Sequence, residues 1–157
     1  MQTRFFEDFH PGMTMRFGPR LVTREEIVST ARHCLGTPFR HQGRRPGRGL
    51  DCVGVIAWTA RELGLSSYDV TNYSRLPQGR ALLRHMEEAG MIEVEAAKAG
   101  PGDVVAMRFT REVQHLALLT DRGMLHAYFG AGAVVEHRLD ETWKGRIVAA
   151  FRFPGIG

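Results

Sequence analysis

Two hydrophobic periods divide this chain. Thr23-Arg24-Glu25-Glu26 has the form of a capping box, and Ile27, Val28, Ala31, Cys34 and Leu35 follow at helical spacing before Gly36. A second helix is predicted from about Asp51, with Val53, Ile56, Ala57, Ala60 and Leu63 on one face and Gly64 as its stop. A third covers about Arg80 to Ala89, with Leu82, Leu83 and Met86 together and Gly90 ending it. Gly36 to Leu50 is rich in Gly, Pro and Arg and reads as a loop; Ser66 to Gly79 reads as irregular. Then the period changes to that of strands: Val104 to Phe109, Val113 to Thr120, Met124 to Phe129, Val134 to Leu139 and Ile147 to Phe153, with turns at Pro101-Gly102-Asp103 and Asp121-Arg122-Gly123. Helices first and a five-stranded antiparallel sheet afterwards is an α+β layout.

With 157 residues the chain fits one domain with one core. Hydrophobic residues make up 43% and charged residues 24%, ordinary for a soluble protein. No apolar run approaches the roughly 20 residues that span a bilayer. Met1 to Met15 lacks the pattern of a signal peptide, which places the expected starting point in the cytoplasm. The net charge of +4 concentrates in Arg40 to Arg48. Such a run is usually a solvated loop; here it also suggests a collar of Arg44, Arg45 and Arg48 that attracts polyanions. With few aromatics interleaved and no nucleic-acid motif, wall carboxylates suit it better than nucleic acid.

Two cysteines make neither a disulfide framework nor a metal cluster. Cys34 sits on the apolar face of the first helix. Cys52 opens the second helix after a glycine-rich loop, where free N–H groups and the helix dipole favour a thiolate and offer donors to an oxyanion. By itself such a cysteine is more often a small buried hydrophobe. A nucleophile also needs an imidazole, and that imidazole needs an orienting partner. Of seven histidines, His33, His85 and His137 have polar neighbours and read as surface residues; His10 and His41 lie in the N-terminal segment and the basic loop. His115 and His126 each sit inside an apolar strand, as core histidines or as partners. A two- or four-residue turn puts them on one face of the hairpin; a three-residue turn separates them unless a bulge intervenes.

Gly36-Thr37-Pro38-Phe39-Arg40, Asp51-Cys52-Val53-Gly54, Pro101-Gly102-Asp103, His115-Leu116-Ala117 and Leu125-His126-Ala127 together resemble the NlpC family of cell-wall cysteine peptidases, which have a pared-down papain-like core. The resemblance runs from about Val22 to Phe153. It implies a peptidase domain over 21–157 and an N-terminal extension over 1–20. It implies Cys52 as nucleophile, His115 as base and His126 as the residue that orients the base. It further implies Asp51 as a binder of the stem peptide's free amine, with Phe39 and Val53 beside the substrate. Phe39 stands where many members have Tyr, and Val53 where many have Ser. The implied reaction is cleavage of the D-γ-glutamyl–diaminopimelate bond through an acyl-enzyme, without metal or organic cofactor.

Gly36 to Gly54 and Tyr73-Ser74-Arg75-Leu76-Pro77 are similar to the version found in tails of phages and gene transfer particles. That implies tail-tip proteins as partners, a place in the particle, and action in the periplasm, with Phe5, Phe6 and Phe9 available for docking. Two other readings stay open: a structural tail component with a weakly active or inactive domain, and an amidase or acyltransferase using the same cysteine–histidine chemistry.

Overall fold

The capping box forms as its sequence predicts. The Thr23 hydroxyl accepts from the Glu26 N–H at 3.1 Å, and the Glu26 carboxylate accepts from the Thr23 N–H at 3.0 Å. It starts α1, Arg24–Ala31, which a 3-10 turn, Arg32–Cys34, extends. This computed structural model describes residues 21–70, 73 and 80–156. The expected extension over 1–20 and positions 74–77 of the tail-like stretch lie outside the described residues.

The segment expected to be a plain loop contains a small hairpin, β1 Arg44–Arg45 with β2 Gly49–Leu50. It leads directly into α2, Cys52–Glu62, and α3, Ala81–Glu88, follows. Six strands come next: β3 Ile92–Val94, β4 Val104–Arg108, β5 Val113–Thr120, β6 Gly123–Tyr128, β7 Ala133–His137 and β8 Ile147–Arg152. A short helix, α4 Glu141–Lys144, precedes β8. The strands form one antiparallel sheet in the order β3-β8-β4-β5-β6-β7. The mixed helix-and-sheet class stands, but the count of five strands is corrected to six. The missed strand is Ile92-Glu93-Val94, three mostly exposed residues at an edge. Too short to carry a period, it is held by pairing with β8.

Both sheet faces are covered, which is why β4 and β5 read as continuous apolar runs rather than alternating ones. One face, with Val104, Ala106, Leu116, Leu118, Leu125 and Phe151, packs with Ile27 of α1, Val55 and Ile56 of α2 and Leu82 and Met86 of α3. The other holds a smaller cluster, Val105, Met107, Ala117, Leu119, Met124 and Ala150, covered by Leu139, Trp143 and Ile147. At the turn before β4, buried Asp103 pairs both oxygens with Arg152 at 3.0 Å and meets Arg24 at 3.2 Å. Burial alone would raise this carboxyl, but Arg152, the Gly100 N–H and Arg24 together hold it below its usual range.

Close backbone approach sets the start of α2. A Cβ at Gly54 would lie 2.1 Å from the Gly43 carbonyl oxygen, so only glycine lets the loop before β1 press against the helix. That contact holds the loop against the first turn containing Cys52.

Candidate active site

Cys52 is the first residue of α2, and Asp51 is its cap: Asp51 Oδ1 accepts from the Gly54 N–H at 2.8 Å. Asp51 is almost fully buried and its other contacts are all donors. The Gln42 N–H reaches Oδ2 at 2.8 Å, the Tyr73 hydroxyl donates to the same oxygen, and Arg44 Nη1 meets Oδ1 at 3.1 Å. Both carboxylate oxygens are thus occupied by the chain itself. Asp51, which the resemblance makes a binder of the stem peptide's free amine, caps the helix and anchors Arg44.

Arg44 corrects the expectation of an exposed collar. Its side chain is only 18% exposed, and its guanidinium also holds the Asp69 carboxylate at 3.0 Å, the Val70 carbonyl at 2.7 Å and the Gly43 carbonyl at 2.9 Å. Arg45 and Arg48 are exposed as expected. An arginine in a charge run looks the same whether it faces water or a buried carboxylate. Only the fold of β1 decides which.

On the sheet, Thr120 pairs with Gly123, so the hairpin turn has two residues, Asp121 and Arg122. Leu118 faces Leu125 across the strands. His115 lies three residues before Leu118 and His126 one after Leu125, so both histidines share the opposite face. Their rings meet, His115 Nε2 to His126 Nδ1, at 2.6 Å. Between Met107–His115 and Arg108–Val113 the register shifts, which makes Gln114 the extra residue of a bulge. Gln114, His115 and Leu116 then border a cleft of about 760 Å³ that Cys52, Phe39, Asp51 and Val53 also line. The backbone of Leu116 and of Val53 favours the charged form of the Cys52 thiol. Cys52, His115 and Leu116 thus line one cleft. Phe39 packs edge-on against Phe129 with centroids 5.5 Å apart.

The thiol differs from the sequence-based expectation. Burial, and after it the Asp51 carboxylate, push Cys52 up to about 12; the Leu116 and Val53 backbone and Arg44 oppose them without prevailing. Desolvation outweighs the helix dipole here. Burial, then the charge of Arg146, pushes His115 down to about 3. Burial, then His115 and His137, pushes His126 down to about 2. Both sets of shifts favour a neutral thiol beside neutral imidazoles.

A stability consequence follows from the same burial. The unfolded chain protonates these histidines near the ordinary 6.5, while the folded chain resists down to about 3 and about 2. As pH falls below 6.5, the unfolded state gains protons first and stability drops. Stability is whole above that value and declines by up to about 1.4 kcal/mol per pH unit for each histidine. Urea midpoints at pH 7.5 and 5.0 check this; equal midpoints would contradict it.

Sequence reasoning missed a whole layer around the imidazoles. His137, read as a surface residue, is half-buried, with its Nε2 2.8 Å from His126 Nε2. Tyr128 stacks on His126 at 5.2 Å, Trp143 meets it edge-on at 5.1 Å, and Phe109 lies 5.2 Å from His115. Arg146 caps the cluster, 4.4 Å above Trp143. His85, also read as surface, lines the cleft and is within 2.7 Å of the Tyr68 hydroxyl. Trp143 carried a usable signal, since a tryptophan one turn inside the Asp140 cap asks for cover. His137 carried none.

Among the described residues no cluster of metal-ligating side chains occurs, and no helix is long and apolar enough to cross a membrane.

Comparison with known proteins places this arrangement. No curated protein matches the chain. Among solved structures, the NlpC/p60 domain of the peptidoglycan hydrolase SagA superposes with a TM-score of 0.60 at 20% identity, over 84% of this chain and 100% of that one. An NlpC/P60 family protein from Bacillus cereus gives 0.63 at 19% identity, over 85% of this chain and 41% of that one. The peptidoglycan hydrolase RipB from Mycobacterium tuberculosis gives 0.55 at 20% identity, over 82% and 63%. The chain thus spans less than two thirds of the latter two. At these identities the structures speak for the fold, and the family follows from the sequence: the NlpC/P60 family model matches residues 36–152, from the loop before the Cys52 helix to the end of β8, and the chain belongs to that family.

Proposed function

We propose that this protein is a cysteine peptidase of peptidoglycan that acts through Cys52, with His115 as base and His126 orienting it. The observation that carries the reading is the buried His115–His126 pair at 2.6 Å, whose His115 lines the same cleft as Cys52 at the start of its helix. His115 takes the thiol proton as the sulfur attacks the amide carbon. The first-turn N–H groups of α2 face the developing oxyanion. The C–N bond breaks as His115 returns the proton to the leaving amine, and water then hydrolyses the thioester. Gln114 Oε1 is buried without a hydrogen-bond partner among the described residues, at the cleft wall. A substrate amide N–H would satisfy it, as a peptide ligand requires. The bond we assign is D-γ-glutamyl–diaminopimelate. The setting we assign is the tail of a phage-like particle, made in the cytoplasm and meeting the wall in the periplasm, with residues 1–20 as docking segment.

One observation favours a second reading, acyl transfer or amide hydrolysis on a more apolar substrate. The far wall of the cleft is apolar, with Ile56, Ala60, Leu82, Met86, Met91 and Phe153. Incubation with purified muropeptides, read by mass, separates the two. Release of a γ-D-glutamyl fragment supports the peptidase. Intact muropeptides, with turnover of an apolar amide or thioester, support the other. Intact substrates of every kind leave a structural module. Immunoblotting purified particles tests the setting.

A further inference from the structure

The row of rings continues past the pair. His115 Nε2 meets His126 Nδ1 at 2.6 Å, His126 Nε2 meets His137 Nε2 at 2.8 Å, and His137 Nδ1 meets the Arg138 carbonyl oxygen at 2.9 Å. A carbonyl oxygen only accepts, so His137 Nδ1 carries a hydrogen. In neutral His137 the other nitrogen is then bare and must accept, so His126 Nε2 carries the hydrogen. That leaves His126 Nδ1 bare, and His115 Nε2 must donate to it. The remaining nitrogen, His115 Nδ1, has no hydrogen bond among the described residues and is bare. One backbone carbonyl thus dictates the tautomers of three rings and ends on a free base.

We infer that His137 is a positioning residue for the chemistry at Cys52, holding His126 and through it His115 in the tautomer whose Nδ1 accepts the thiol proton. This rests on the reading of Cys52 and His115 as nucleophile and base. The surroundings hold the row in place. Tyr128 lies nearly parallel to His126, at 12°, and Trp143 packs against both His126, at 5.1 Å, and His137, at 5.2 Å. Burial keeps His115 and His126 from taking an extra proton that would reverse the donors. Without an acceptor at 137, His126 is free to turn its hydrogen toward His115. His115 would then present an N–H to the sulfur and lose its function as base.

The test is nitrogen NMR of the assigned histidine rings in the full chain, with alkylation kinetics beside it. In the unaltered protein at neutral pH, His115 and His126 should be protonated at Nε2 and His137 at Nδ1. A hydrogen on Nδ1 of neutral His115, or on Nε2 alone of His137, overturns the inference without any variant. His137→Phe removes the acceptor; His137→Gln restores one through its side-chain oxygen. His137→Phe should slow iodoacetamide alkylation of Cys52 and, with a substrate in hand, lower kcat about tenfold with KM within about twofold. His137→Gln should recover most of both. Equal rates in the unaltered protein and folded His137→Phe would overturn it. So would equal losses in both folded variants. Alkylation needs no peptidoglycan, so a failed relay and a wrong substrate give different results.

Discussion

Cys52→Ala should lower muropeptide cleavage by about 10⁴-fold or more while leaving the thermal midpoint within a few degrees of the parent. On the proposed mechanism the substitution removes the acyl-forming atom, and Cys34, fully buried in the α1 region of the core, does not replace it. Alkylation should follow the same division. Burial pushes both thiols up to about 12, so acidity does not separate them. Access and a base do. Cys52 borders the cleft that His115 also lines, whereas Cys34 is packed away from solvent. Iodoacetamide should therefore label Cys52 first in the folded protein, and Cys34→Ala should keep full activity. Activity of Cys52→Ala within tenfold of the parent would remove Cys52 from the mechanism.

Arg44→Met should destabilise the protein by about 3–5 kcal/mol, because it leaves the nearly buried Asp51 carboxylate without its cation. The damage reaches the chemistry, since Asp51 caps the helix that Cys52 begins. Denaturant titration reads the loss. Combining Arg44→Met with Asp51→Asn should return much of it: the asparagine still caps the Gly54 N–H but carries no charge to strand. By contrast, Arg45→Gln and Arg48→Gln should each change stability by no more than about 0.5 kcal/mol, as exposed loop residues. A loss under about 1 kcal/mol for Arg44→Met would mean that the Asp51 pairing contributes little.

The catalytic reading also changes how acidity is achieved. From its place at a helix start, Cys52 is expected to be a ready thiolate. In the folded protein burial pushes Cys52 up and His115 down, which favours the neutral form of each.

Local sequence was sufficient for the frame. The capping box, the glycine stops and the switch from helical to strand period each act within a few residues, and α1, α2, α3 and five of the strands formed where they point. The place of Cys52 at a helix start and of His115 and His126 on one sheet face was legible too. Cys52 needs only a helix start, and the two histidines need only a two-residue turn to share a face. Contacts distant in sequence were not legible. Ile92–Val94 is a strand because β8 lies beside it. Arg44 is internal because the Gly43–Gly54 approach folds β1 against the helix cap. His137 joins the row because β7 pairs beside β6, setting His137 opposite Met124 and one step along from the Val135–His126 pair. Its neighbours in sequence, Glu136 and Arg138, describe a surface, and they hide a ring that tertiary pairing turns toward His126. Periodicity reports which way a side chain faces along its own element. Burial, charge pairing and proton position depend on which other element arrives at that face, and only the folded chain decides that.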